Sequence, residues 1–264
     1  MSSSHRMNLL VPGAALLLAA SLATASAQII SINFDNATDL NLPTMETTDL
    51  AGAPGVRVGN WNPWLKNDLT LGDAGQTILD NTGATVAGLT ATLSPSVGWT
   101  SRNNNNVNDQ ALFSDTLDVF GATRNVAVSG VPFSLYDVYV YVYDDRDGRA
   151  GSFSIGSTTY YVRGISPAAG LEGLANPATD GSGYVLSSDT TLGTATDIEL
   201  GNYVKFSNLT GTSFTLGMAA INAGNLDRAK PVGFQIVAVP EPSVAALTGG
   251  LVGLLALMRA RSRR

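Results

Sequence analysis

The 264-residue chain has no cysteine and one histidine, His5. Without Cys there is no disulfide, no thiolate nucleophile and no Cys-ligated zinc or iron–sulfur site. With its only imidazole five residues from the N-terminus, the body of the chain has no Ser-His-Asp or Cys-His machinery and no His-ligated metal. Charge is also scarce: Asp, Glu, Lys and Arg make up 14% of the residues, against the usual quarter. Apolar residues reach 44%, which supplies a core and excludes wholesale disorder. No lipase elbow, P-loop or dinucleotide fingerprint is present.

What is present begins with the two ends. His5 and Arg6 form a short basic start, and Leu9–Leu22 is apolar apart from Pro12-Gly13 and Ser21. Ala25-Ser26-Ala27 has the A-x-A form of a signal-peptidase site. Residues 1–27 are therefore predicted to be a secretory signal peptide, taken through the Sec machinery and cleaved after Ala27. Ala23-Thr24-Ala25 is a second candidate cleavage site. At the other end, Pro240-Glu241-Pro242 precedes an apolar run over 244–258 and the cluster Arg259, Arg261, Arg263 and Arg264. Fifteen helical residues rise about 22 Å, against a hydrocarbon core of about 30 Å, so snorkelling arginines would complete a short transmembrane helix. The basic cluster predicts a cytoplasmic C-terminus and acts as a stop.

Pro-Glu-Pro, a short apolar helix and a terminal Arg cluster, in that order, resemble the PEP-CTERM sorting signal of Gram-negative bacteria. The resemblance covers residues 239–264. It implies recognition by exosortase, cleavage near Pro240-Glu241-Pro242, and transient anchoring in the inner membrane. Release to, or attachment at, the cell surface would follow, commonly in bacteria that make exopolysaccharide. A permanently anchored single-span protein is the alternative.

Between the ends, residues 28–240 hold ten Lys/Arg and twenty Asp/Glu, a net charge of −10. An acidic body without a basic stripe disfavours nucleic acid as a partner. β-rich runs follow one another with Gly-rich polar turns: Ile29–Phe34, Leu89–Leu93, Val126–Val128, Leu135–Tyr143, Ser152–Ile155, Thr158–Val162, Tyr203–Phe206, Ser213–Met218 and Gly233–Val237. Gly156-Ser157 marks a hairpin. Asn108–Phe120 has room for a short helix, and Ile165–Asp197 reads as an insertion at one edge. The expected fold is all-β, an antiparallel, jelly-roll-like β-sandwich over residues 28–238. Val131-Pro132-Phe133, Tyr136-Asp137-Val138-Tyr139 and Gly233-Phe234-Gln235-Ile236-Val237 loosely resemble galactose-binding-like jelly rolls of secreted bacterial proteins. That likeness implies the fold and a carbohydrate-binding role, with no site carried over residue by residue.

Three groups are candidates for chemistry. In Leu135–Tyr143, Val138, Val140 and Val142 share one face, and Tyr139, Tyr141 and Tyr143 share the other. The tyrosines can form a sugar platform or pack beneath a loop, and packing is the commoner use of such a ladder. Trp61 and Trp64, separated by Asn62-Pro63, can likewise stack on sugar or plug the sandwich. Asp144, Asp145 and Asp147, ending at Gly148, can surround Ca²⁺, although Arg146 and Arg149 would partly neutralise them; a solvated turn is the commoner outcome. The whole predicts an exported, non-catalytic cell-surface or matrix protein with polysaccharide as a partner. The alternative is a secreted glycoside hydrolase working through two carboxyls, since that chemistry needs neither His nor Cys.

Overall fold

Runs that alternate apolar with polar residues set most of the strands. The computed structural model describes residues 27–35, 45–65, 70–73, 76–94, 98–101, 108–144, 149–164, 183–194, 196–221 and 228–240. In chain order these form β1 (Ile29–Asp35), β2 (Asn62–Leu65), β3 (Thr70–Leu71), β4 (Thr90–Leu93), β5 (Gly98–Ser101), the single-turn helix α1 (Asp109–Leu112), β6 (Asp115–Asp118) and β7 (Arg124–Ser129). Then come β8 (Leu135–Val142), β9 (Ala150–Ile155), β10 (Thr158–Gly164), β11 (Leu200–Gly201), β12 (Tyr203–Thr210), β13 (Ser213–Ala220) and β14 (Pro231–Ala238). The predicted signal peptide up to Ser26 and the sorting segment from Glu241 onward lie outside the described residues, as do Asp145 and Asp147. Among the described residues no helix is long and apolar enough to cross a membrane.

The strands build a five-stranded sheet in the order β12-β8-β14-β1-β2, a seven-stranded sheet in the order β11-β10-β9-β13-β7-β4-β3, and the small pair β5-β6. The fold is thus a β-sandwich, with one correction to the expected antiparallel pattern. β2 runs parallel to β1, with Phe34 opposite Trp64, and β11 runs parallel to β10, with Arg163 opposite Leu200. Both parallel partners are edge strands, and each is reached by a long connection, which a parallel pairing requires. Pro63 sits in β2, where the missing N–H of proline is harmless because the strand is an edge. The β9–β10 hairpin turns at Gly156-Ser157, with Ile155 opposite Thr158. Gly156 has φ 60°, a value suited to the first position of a tight hairpin turn.

The inner faces of the sheets close on one another. Ile30, Ile32, Phe34, Trp64, Val138, Val140, Phe206, Phe234 and Ile236 come from the five-stranded sheet. They meet Ala91, Leu93, Val126, Val128, Phe153, Ile155, Phe214, Leu216 and Met218 from the seven-stranded sheet. Fully burying a side chain of this size contributes about 1.5–3 kcal/mol, so this interface is the main source of stability.

A second apolar cluster lies on the other face of the five-stranded sheet. Ile29, Tyr139, Tyr141, Tyr143, Val232 and Val237 are covered there by Met45, Ala51, Ala53, Val56 and Trp61 from the segment after β1, and by Ala111, Leu112 and Phe113 around α1. The five-stranded sheet is therefore buried on both sides, while among the described residues the seven-stranded sheet keeps one face open. This explains why β8 reads as an almost unbroken apolar run, with seven of its eight residues buried.

Candidate functional site

The residues singled out as a sugar-stacking surface are corrected by this layering, because they are packed inside it. Tyr141 and Trp64 are wholly inaccessible, and Tyr143, Trp61 and Tyr139 are at most 9% exposed. Alternation along β8 sends the three tyrosines outward from the sandwich as expected, but the covering segment lies on top of them. The Tyr141 hydroxyl donates to Gln235 Oε1 and accepts from the Ala53 amide at 2.9 Å. Burial first, then neighbouring Tyr139, Tyr203 and Asp109, hold its phenol well above the usual range even though the Ala53 amide acts the other way. Trp61 packs edge-on against Tyr141 at 5.9 Å and donates its indole N–H to Val58 O at 3.1 Å. Trp64 faces the opposite way, against Phe34 at 5.8 Å in the central core. Tyr139 is covered by Tyr203, stacked at 6.2 Å, and by Lys205 Nζ at 5.2 Å from its ring.

Polar groups fix the covering segment. Gln235 Nε2 donates to Ser31 Oγ and to Val56 O at 2.9 and 3.0 Å, so the central strand β14 holds the segment directly. Gly52, at φ 127°, leaves room for this: a Cβ there would stand 2.9 Å from Gln235 Oε1. The buried Asp109 of α1 accepts from the Gly52 amide, the Tyr184 hydroxyl and Arg57 Nε, at 3.1, 2.8 and 2.9 Å. Asn62, between the two tryptophans, donates to Ser31 O and Leu79 O and accepts from the Leu79 amide, all within 2.9 Å. The Trp-Asn-Pro-Trp motif is thus a four-residue rivet: one ring to each core, an amide clamp, and a proline on the edge.

The expected calcium turn is only partly within the described residues. Asp144 is buried and pairs with Arg149 Nη1 at 3.2 Å. Among the described residues no group of three or more carboxylates or imidazoles is placed to hold a metal.

The open face of the seven-stranded sheet carries what the sequence reading missed. With Val126, Val128, Phe214 and Leu216 in the core, their neighbours Asn125, Ala127, Ser129, Ser213 and Thr215 point outward. Register aligns Thr90 with Ser129 and Ser213, and Thr70 with Thr92, Ala127 and Thr215. Thr90 and Ser129 are hydrogen-bonded at 2.7 Å, and Thr70 and Thr92 approach to 3.3 Å. Thr92, Ser129, Ser213 and Thr215 line a shallow depression of about 330 Å³. Further across, Ser154 aligns with Thr159, and Ser152 aligns with Tyr161. Because Val162 is buried in the core and Tyr160 packs against it, Tyr161 faces outward, a partly exposed aromatic at one side of a hydroxyl-lined surface. Among the described residues, the outward positions of β3, β4, β7, β13 and β9 carry no charge. The signal was in the sequence as period-two hydroxyls: Thr90-x-Thr92, Ser152-x-Ser154 and Ser213-x-Thr215.

No family model matches the chain, and no curated protein matches it. Among solved structures, the CBM36-1 domain of a multidomain xylanase from the hindgut metagenome of Trinervitermes trinervoides is similar over 57% of this chain and 98% of its own, at 12% identity and a TM-score of 0.29. The C-terminal CBM6 of a Zobellia galactanivorans protein aligns over 55% of this chain and 89% of its own, at 11% identity and a TM-score of 0.27. An exo-β-1,3-galactanase of Phanerochaete chrysosporium, solved with galactose, aligns over 59% of this chain and 31% of its own, at 16% identity and a TM-score of 0.29. These likenesses are distant, and function has to be argued from the residues.

Proposed function

We propose that this is an exported, non-catalytic cell-surface or extracellular-matrix protein that holds neutral polysaccharide on the open face of its seven-stranded sheet. The observation that carries the reading is the uncharged row of hydroxyls centred on Thr92, Ser129, Ser213 and Thr215, with Tyr161 at one side. Hydroxyl and amide side chains both donate and accept, which suits sugar hydroxyls, and the partly exposed ring offers a flat surface to a pyranose. A body of net charge −10 would repel acidic polymers, so neutral glycans are the favoured class.

Export and sorting rest on the sequence: the signal peptide to Ala27, the Pro240-Glu241-Pro242 motif and the terminal arginines. The non-catalytic reading is supported by the carboxyl pair Asp35 and Asp115. They act on each other, but both are buried, and a glycosidase pair must flank an accessible bond.

Affinity electrophoresis of the full-length chain against a panel of neutral and anionic polysaccharides tests the binding. Retardation by at least one neutral polymer, with none by the anionic ones, is expected; no retardation by any polymer overturns it. Intact mass of the exported protein tests the sorting. It should lack Met1–Ala27 and the arginine tail, and recovery of the tail from outer material contradicts processing.

A further inference from the structure

Where β1 ends, the chain buries oxygens without giving them donors. Asn33 and Asp35 are two apart on β1 and project from the same side of the strand. Asp35 is 1% exposed and Asn33 is 4% exposed. With Asp35 and Asp115 both ionised, neither carboxylate oxygen of Asp35 has a hydrogen-bond donor, and Asn33 Oδ1 has none either. Beside Asp35 stands another buried carboxyl, Asp115 of β6. Leaving one buried acceptor unsatisfied costs about 1–3 kcal/mol, and more when it is charged, so three such atoms together call for a counter-species.

We propose that Asn33, Asp35 and Asp115 form a site for a divalent cation of the calcium type. Two carboxylates and an amide oxygen are hard donors, and Ca²⁺ takes six to eight oxygens in adaptable geometry, with main-chain carbonyls and water completing the shell. The absence of His and Cys from the body excludes the ions that prefer nitrogen or sulfur. A cation here would pin the end of β1 to β6, joining the first strand to the small β5-β6 pair. The site is separate from the turn at Asp144, whose carboxylate pairs with Arg149, and it does not depend on the polysaccharide reading.

The test is calorimetric titration of the EDTA-stripped full-length chain with CaCl2, paired with thermal melting. One ion per chain with an affinity in or below the millimolar range of extracellular modules, and a higher Tm in calcium, are expected. Asp35→Asn should abolish both responses, and Asn33→Ala should weaken binding about tenfold or more, the loss of one ligand's worth of about 1.4 kcal/mol. Asp144→Asn should leave binding unchanged. If Asp35→Asn does not fold, Asn33→Ala decides, and wild-type affinity in it overturns the site. No binding heat and no change in Tm at about 10 mM calcium overturns the proposal. So does loss of binding in Asp144→Asn with binding kept in Asp35→Asn.

Discussion

Tyr141 of β8 and Gln235 of β14, 94 residues apart, share a buried hydrogen bond in which the phenol donates to the amide oxygen. Through Gln235 Nε2 the same pair reaches Ser31 and Val56, and through the Tyr141 oxygen it reaches Ala53. The tyrosine ladder is therefore the seat of a covering layer. Tyr141→Phe leaves the Ala53 amide and the Gln235 carbonyl without a partner. A loss of about 1–3 kcal/mol in urea unfolding is expected, with polysaccharide affinity unchanged. Loss of binding at unaltered stability would return the ladder to a ligand role.

Asp109 concentrates three donors on one buried carboxylate. Removing it takes one partner each from Arg57, the Gly52 amide and the Tyr184 hydroxyl. Asp109→Ala should cost about 3–5 kcal/mol, as for breaking a buried pair by deleting one partner. Limited proteolysis should then cut first within Met45–Trp61. Unchanged protection of that segment would show that Gln235 and the apolar contacts hold it alone.

Asp35 links stability to pH. Burial first, then the charge of Asp115 and the hydrogen bond between the two carboxyls, raises its pKa to about 7, from 3.8. With both groups ionised Asp35 has no donor, whereas a proton held between them provides one. The folded chain thus binds a proton more tightly than the unfolded chain. The contribution is complete below about pH 3.8 and is lost as pH rises through about 7. In EDTA, urea midpoints should fall between pH 5.5 and 8, and Asp35→Asn should flatten that slope. A midpoint that rises over this window in wild type would contradict the assignment.

Much of the sandwich was legible because its strands carry plain period-two or continuous apolar patterns. β1, β8, β13 and β14 are all close to their expected bounds, and Gly156-Ser157 turns where a glycine-led pair should. β2, β3, β5, β6 and β11 were missed. They have two to four residues each, and pairing with longer strands rather than local propensity creates them. The parallel edges were illegible for a related reason, since a long connection leaves no mark of direction. For the site, aromatic content drew attention to Trp61, Trp64 and the tyrosines, yet rings that bury this much area serve a core as readily as a ligand. What decided between the two was the segment over Tyr141, whose hold on Gln235 spans the length of the body. The hydroxyl face was discoverable from alternation alone, but Ser and Thr on an outward face look like ordinary solvent-facing residues until register aligns them.

Asn62 offers a check on the Trp-Asn-Pro-Trp rivet. Asn62→Ala removes the donors to Ser31 O and Leu79 O and the acceptor of the Leu79 amide. A loss of about 2–3 kcal/mol is expected, and Asn62→Asp should also destabilise, because a carboxylate cannot donate to the two carbonyls. Wild-type melting of Asn62→Ala would refute the clamp.

The most direct measurement is polysaccharide affinity of the full-length chain with Thr215→Lys and, separately, Tyr161→Ala. Both residues lie on the open face, away from the covered tyrosines. The account predicts at least a tenfold weaker affinity for the retarding neutral polymer in each variant, with melting within a few degrees of wild type. Binding that persists in both, or that disappears only when Tyr139 is replaced, would contradict it.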